Sequence, residues 1–223
     1  MVTPLESKQL LTLLGDDAED QVRWMLRRSS GSWESRRLQL LDTIPGVLAY
    51  YSEGSAALAA DLYDDSRFGV AEGAYSATPV VLDRTVKIRR GVAWASDPLS
   101  IDDDELAAAR FAQLMRTEMA RPYRDTIIAN RKQDPACVGW KRITRDSKSC
   151  SFCRMLADRG AVYRKETATF AAHDDCMCTA APVFQGGEIG PEADTAQYLA
   201  SKRRRTAKEK AFLRDYLKGN YPD

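Results

Sequence analysis

The chain has 223 residues, 44% of them hydrophobic, with 33 Lys and Arg against 32 Asp and Glu. That length holds one large domain or two small ones with a proper core. The near-zero net charge argues against a general nucleic-acid coat. No apolar run approaches the roughly 20 residues of a membrane span. The first residues, Met1, Val2, Thr3 and Pro4, do not read as a secretory leader, so residence in a reducing cytosol is expected.

Thr3 is placed to cap a helix that has Pro4 at its first position. Leu5, Leu10, Leu11, Leu13 and Leu14 supply its apolar residues. Gly15 reads as its end and Asp16 as the cap of a second helix, which carries Val22, Met25 and Leu26 on one face. Ser29 to Ser32 read as a turn, and Ser32 caps a third helix with Trp33, Leu38 and Leu41 inward. Pro45 marks a further start, at the first turn of a helix or just before a kink. Val47, Tyr51, Leu58 and Leu62 then recur at helical intervals, and Ala56, Ala57, Ala59 and Ala60 permit close packing, so this stretch reads as core.

Residues 68–98 are broken by Gly69, Gly73, Pro79, Gly91 and Pro98. Within them, 79–82 and 85–90 read as short strands or extended arms. The acidic residues Asp102, Asp103, Asp104 and Glu105 open the next helix at the favourable end of its dipole. It runs through Ala107, Phe111, Leu114, Met115 and Met119, should kink at Pro122, continues through Ile127 and Ile128, and stops at Asp134-Pro135. A strand over 138–143, a helical turn or two over 154–159 closed by Gly160, and strands over 161–164 and 176–184 follow. Gly186, Gly187, Gly190 and Pro191 read as a linker, and 196–221 as a charged helix. Its Lys202, Arg203, Arg204 and Arg205 are either a solvated face or a contact for a phosphate backbone or acidic partner.

The expected fold class is therefore α+β. A mainly helical body spans 1–132, with 68–98 irregular or extended. A small α+β module spans 133–185, stapled by a Cys/His metal site, and 186–223 form the linker and charged helix.

Four of the five cysteines and the single histidine fall in one short stretch: Cys150, Cys153, His173, Cys176 and Cys178. A C-x-x-C pair in a tight turn lets two thiolates approach one ion from the same side. Cys176 and Cys178, if extended, share a face. Zinc takes four N or S ligands in a tetrahedron, and closed Cys3His sets are structural. The preferred set is Cys150, Cys153 and His173, with Cys176 or Cys178 fourth and the other thiol beside the centre. A reduced cluster without metal and a pair of disulfides are the alternatives. Cys137 stands apart and reads as an unliganded thiol.

A catalytic zinc is less compatible with these residues. A nucleobase deaminase needs H-x-E before P-C-x-x-C, and here the order is reversed, with Asp174 and Asp175 after His173. Any triad would have to use His173 as its base. No catalytic residue is assigned.

Trp140, Cys150-x-x-Cys153, Gly160-x-x-Tyr163, His173-x-x-Cys176-x-Cys178 and Pro182 follow in that order. The order resembles the C-terminal region of the MuF-like minor head proteins of tailed phages. Residues 51–67 and 125–130 resemble the helical part of the actinobacteriophage branch, so the likeness extends over 51–182. Where the family pattern has Pro after the histidine and Arg between the last two cysteines, this chain has Asp174 and Met177.

The resemblance implies a structural virion protein: a minor capsid or head morphogenesis protein. Such a protein is made in the host cytoplasm and built into the head in few copies, at the portal vertex or inner capsid. It is linked to DNA packaging or ejection, and its partners are portal, major capsid and scaffold proteins. The branch also carries the label of capsid maturation protease, which would require His173 to leave the metal cluster. A third reading is a nucleic-acid-binding zinc module, with 87–90 and Lys202 to Arg205 on phosphates.

Overall fold

The computed structural model describes residues 1–144, 150–160, 163–164, 170, 177–186 and 206–222. Among them, helices dominate and one small antiparallel sheet is present, an α+β arrangement. The helices are α1 (Pro4–Arg28), α2 (Trp33–Arg67), α3 (Thr85–Ser96), α4 (Asp104–Gln133), α5 (Ser151–Ala157) and α6 (Ala207–Asn220). A 3-10 turn (Asp97–Ile101) links α3 to α4. The strands are β1 (Cys137–Ile143), β2 (Tyr163–Arg164) and β3 (Thr179–Phe184).

Thr3 caps α1 in a reciprocal box with Glu6, Ser32 caps α2 and Asp103 caps α4, so the helix starts follow the local sequence. Gly15 does not end α1. It lies in a buried seam of Leu11, Gly15, Ala18, Val22 and Leu26, whose spacing of three and four residues keeps one face of a single helix inward. A Cβ at Gly15 would sit 3.5 Å from the Met177 side chain, an ordinary van der Waals contact, so the position lies against residue 177 without requiring glycine. The cost of about 1 kcal/mol for glycine inside a helix is small beside the seam it belongs to.

Pro45 likewise starts no helix; α2 runs unbroken through it. Proline cannot donate to the carbonyl four residues back. That carbonyl, Leu41 O, instead accepts from Arg89 Nη1 of α3 at 3.3 Å. Leu38 points outward at 63% exposure, contrary to the inward placement expected, whereas Trp33 and Leu41 pack on the helical core. Pro122 also lies inside an unbroken α4, where Ser55 of α2 donates to Met119 O at 2.6 Å in the turn before it.

Residues 85–90 form neither strand nor arm. They are the first half of α3, whose Ile88, Val92 and Ala95 pack on the helical core while Val86 is exposed. The alternation of Val86, Lys87, Ile88 and Arg89 imitates a strand, but the buried period is that of a helix. Gly91 allows the approach to α4, since a Cβ there would lie 2.6 Å from Leu114 Cδ1.

Residues 74–83, which include the 79–82 stretch, have no regular secondary structure and pair with no strand. Thr78 N donates to Asn130 Oδ1 and Asn130 Nδ2 donates to Thr78 O, both at 2.8 Å, and Val80 N donates to Thr126 Oγ1 at 2.9 Å. Side chains of α4 thus do for this segment what a neighbouring strand would do.

The sheet order is β2-β1-β3, with both pairings antiparallel. Trp140 stands opposite Pro182, and a bulge lies between Cys137 and Gly139. Pro182 has no N–H to offer, which suits β3 to the edge of the sheet. β3 packs against α4 and α2. One core joins Leu11, Leu62, Tyr63, Tyr123 and Ile127 of the helices to Trp140, Leu156, Ala180 and Phe184 of the Cys-containing region. α6 joins its margin through Leu213 and Leu217.

A buried ion pair locks the junction. Arg67 Nε, at the end of α2, donates to Asp134 Oδ2, at the end of α4, at 3.0 Å; the Asp134 side chain is fully buried. The Arg67 Nη atoms donate to Gly73 O and Glu72 O at 2.7 Å, and Asp134 Oδ1 accepts from Ala136 N at 3.0 Å. Removing one partner leaves the other charge buried and uncompensated. Asp134→Ala is expected to destabilise the fold by about 3–5 kcal/mol, read as a lowered midpoint in urea unfolding.

Candidate metal centre

Cys150 caps α5, and its Sγ accepts from Cys153 N at 3.4 Å, so the C-x-x-C unit turns inward as the spacing suggests. Gly160, at φ +67, takes the left-handed conformation just beyond the helix, as expected of a glycine there. Cys178 lies one residue before β3. Cys153 and Cys178 are 1% and 3% exposed and form a small apolar cluster with Cys150, Phe152 and Phe170 packed against it.

The two buried sulfurs are 3.6 Å apart and not bonded to each other. A tetrahedral zinc with sulfurs at about 2.3 Å sets its ligands about 3.8 Å apart, so this pair fits one edge of such a centre. His173 and Cys176, the other expected ligands, lie outside the described residues. Among the described residues, no group of three or more His, Cys, Asp and Glu side chains forms a metal-holding set. Of the five candidates the structure brings the sulfurs of Cys153 and Cys178 together, with Cys150 packed against that pair. Lys202, Arg203, Arg204 and Arg205 also lie outside the described residues.

Three buried cations from three elements converge on residues 177–178, and sequence reasoning assigned none of them a role. Lys8 of α1, 2% exposed, donates to Met177 O. Arg124 of α4 donates through Nε to Cys178 O at 2.7 Å and sets Nη2 3.9 Å from its sulfur. Arg142 of β1 places Nη1 2.7 Å from Cys178 Sγ and 3.9 Å from Cys153 Sγ. Both guanidiniums lie over the Phe170 ring, at 4.7 and 4.0 Å, and Phe170 stacks on Trp140 at 5.1 Å. A signal for Arg142 was present: it is two residues after Trp140 on a strand, so both face the same way.

Cys137 behaves differently. It is 2% exposed in the large core, and its thiol donates to Gly139 O at 3.3 Å and Val183 O at 3.5 Å. Burial pushes its thiol above the ordinary cysteine range. This fits the unliganded thiol read from the sequence.

The chain therefore defines a class: a helical body whose core is shared with a small sheet that carries clustered thiols. The profile of one protein family, described as VG15 protein, matches residues 7–201. The chain belongs to that family, and it is a phage protein. Comparisons with curated proteins and with solved structures returned no match. No helix among the described residues is long and apolar enough to cross a membrane.

Treatment of the native protein with a thiol alkylating agent near neutral pH should leave Cys137 unmodified, while unfolding in denaturant should expose all five thiols. Peptide mass spectrometry reads the difference.

Proposed function

We propose that this phage protein is a structural component of the head: a minor capsid or head morphogenesis protein acting at the portal vertex or inner capsid. Portal, major capsid and scaffold proteins are its partners, and it serves head assembly and DNA packaging or ejection. Within it, zinc staples Cys150, Cys153 and His173, with Cys176 or Cys178 completing the tetrahedron. The observation that carries the reading is the meeting of Cys153 with Cys178, 25 residues apart, at the edge length of a zinc tetrahedron. It supports the idea that the motif resembling the MuF-like head proteins works here as one unit. Membership in a phage family supports the setting.

The role asked of the metal is structural. Bound zinc would tie α5 and the start of β3 to the segment that carries His173, with no open position for a reacting water. Its binding energy then adds directly to folding free energy.

Elemental mass spectrometry on the purified protein is expected to find about one zinc per chain. Chelation should lower the melting temperature by at least about 10 °C, and His173→Ala should do the same. The protein should also co-purify with phage heads. A His173→Ala variant of unchanged stability that fails to process scaffold or capsid protein would overturn the structural reading in favour of the maturation protease.

A further inference from the structure

Cys153 and Cys178 are free thiols whose sulfurs lie 3.6 Å apart, in contact and not bonded. We propose that they form a redox pair: reduced while the protein is in the host cytosol, and joined as a disulfide by a peroxide once the phage particle has left it. The timing rests on the head reading above; the pairing of the two sulfurs does not.

A disulfide bond is about 2.05 Å long, so the sulfurs must close by about 1.6 Å. Rotation of a side chain about its Cα–Cβ bond, from one staggered position to the next, carries a sulfur further than that. Both backbones are held in place. Cys153 lies inside α5, and Cys178 lies one residue before β3 with its carbonyl accepting from Arg124 Nε at 2.7 Å. Two groups kept in contact react with each other at an effective concentration that separate thiols do not reach.

Access also favours this pair. Cys153 and Cys178 are 1% and 3% exposed, but Cys150, Phe152 and Phe170, which pack against them, are only half-buried. The sulfurs therefore lie one side chain below the surface, within reach of an oxidant as small as hydrogen peroxide. Cys137 is enclosed by the large core, and its sulfur meets the Gly139 and Val183 carbonyls where that of Cys153 meets another sulfur.

The chemistry has two steps. Peroxide oxidises one thiol to a sulfenic acid; its O–O bond breaks and one oxygen leaves as water. The second sulfur then attacks the first, the S–S bond forms, and the hydroxyl leaves as a second water. Two electrons pass from the sulfurs to one peroxide, and both thiol protons end in water. Cellular thiols reverse the bond by exchange, which keeps the pair reduced during assembly. Outside the cell disulfides persist. There the bond ties α5 to the start of β3 across 25 residues, and a cross-link of that kind restricts the unfolded chain. The same two sulfurs belong to the zinc set proposed above. A metal ligand must be a thiolate, so the disulfide and bound zinc exclude each other.

The test is to treat purified protein with hydrogen peroxide, alkylate the remaining thiols, and read unreduced peptides by mass spectrometry. A Cys153–Cys178 link that dithiothreitol removes is expected, with Cys137 still a thiol. A link from either residue to a different cysteine, or oxidation of both without a link, overturns the pair. Should bound zinc shield the sulfurs, the same treatment with a chelator present decides, and no link there overturns the proposal. Protein that holds no zinc before treatment ends the zinc reading and leaves the pair to be judged by its link. In particles released from lysed cells the link should be present, and in infected cells quenched with acid it should be absent. Reduced thiols in released particles overturn the switch, whereas absence of the protein from particles overturns the head reading and not the pair.

Discussion

Every residue of Thr179–Phe184 is buried, so each backbone polar group of this strand must find its partner inside the protein. β1 supplies one side of the ladder. On its other side β3 is an edge strand, and it packs against α4 and α2. Pro182 reduces the number of donors that need a partner there. Most of the fold can be understood from this constraint. The sheet is too small to bury β3 by itself, so it shares Tyr63, Tyr123 and Ile127 with the helices, and the chain's longest helices form the wall it needs.

Charged side chains then fix how the pieces meet. Arg67 with Asp134, Arg84 with Glu118, and Arg116 with Glu19 each join segments far apart in sequence. A buried pair such as Arg67 with Asp134 gives little net stability against apolar packing, because desolvation offsets much of its attraction. A mismatched register, however, would leave such a charge without its partner. The same logic extends to Lys8, Arg124 and Arg142 around residues 177–178, where helix α1, helix α4 and strand β1 each send a cation to the same short segment. The thiol cluster is thereby attached to the helical body and does not hang from it as a loose module.

Thr3 and Ser32 were legible as caps because a side-chain oxygen reaches an N–H three residues on, which the neighbouring sequence alone determines; Asp103 caps α4 in the same way, where the sequence showed only an acidic helix start. A strand over 138–143 was legible and β1 extends it by one residue, whereas the helix expected over 154–159 begins earlier, at Ser151, and ends at Ala157, before Gly160. Gly15 and Pro45 misled because each is a breaker only when its helix lacks outside support. Gly15 has the seam packed against α2 and α4, and the carbonyl that Pro45 leaves open is taken up by Arg89. Residues 85–90 misled because their alternation matches a strand over six residues, a span too short to show that burial follows Ile88, Val92 and Ala95.

The sequence by itself determined which soft side chains lie near one another along the chain: four thiols and one imidazole in a short stretch, with a C-x-x-C pair at its start. It could not determine which sulfurs meet. Cys153 and Cys178 are brought to 3.6 Å by the antiparallel pairing of β1 with β3 and by the packing of α5 on β1, both long-range closures. Nor could it show Arg124 beside Cys178, 54 residues away, since that contact depends on α4 packing against β3. Spacing constrains atoms a few bonds apart, whereas the neighbours of a buried sulfur are chosen by how the whole core packs.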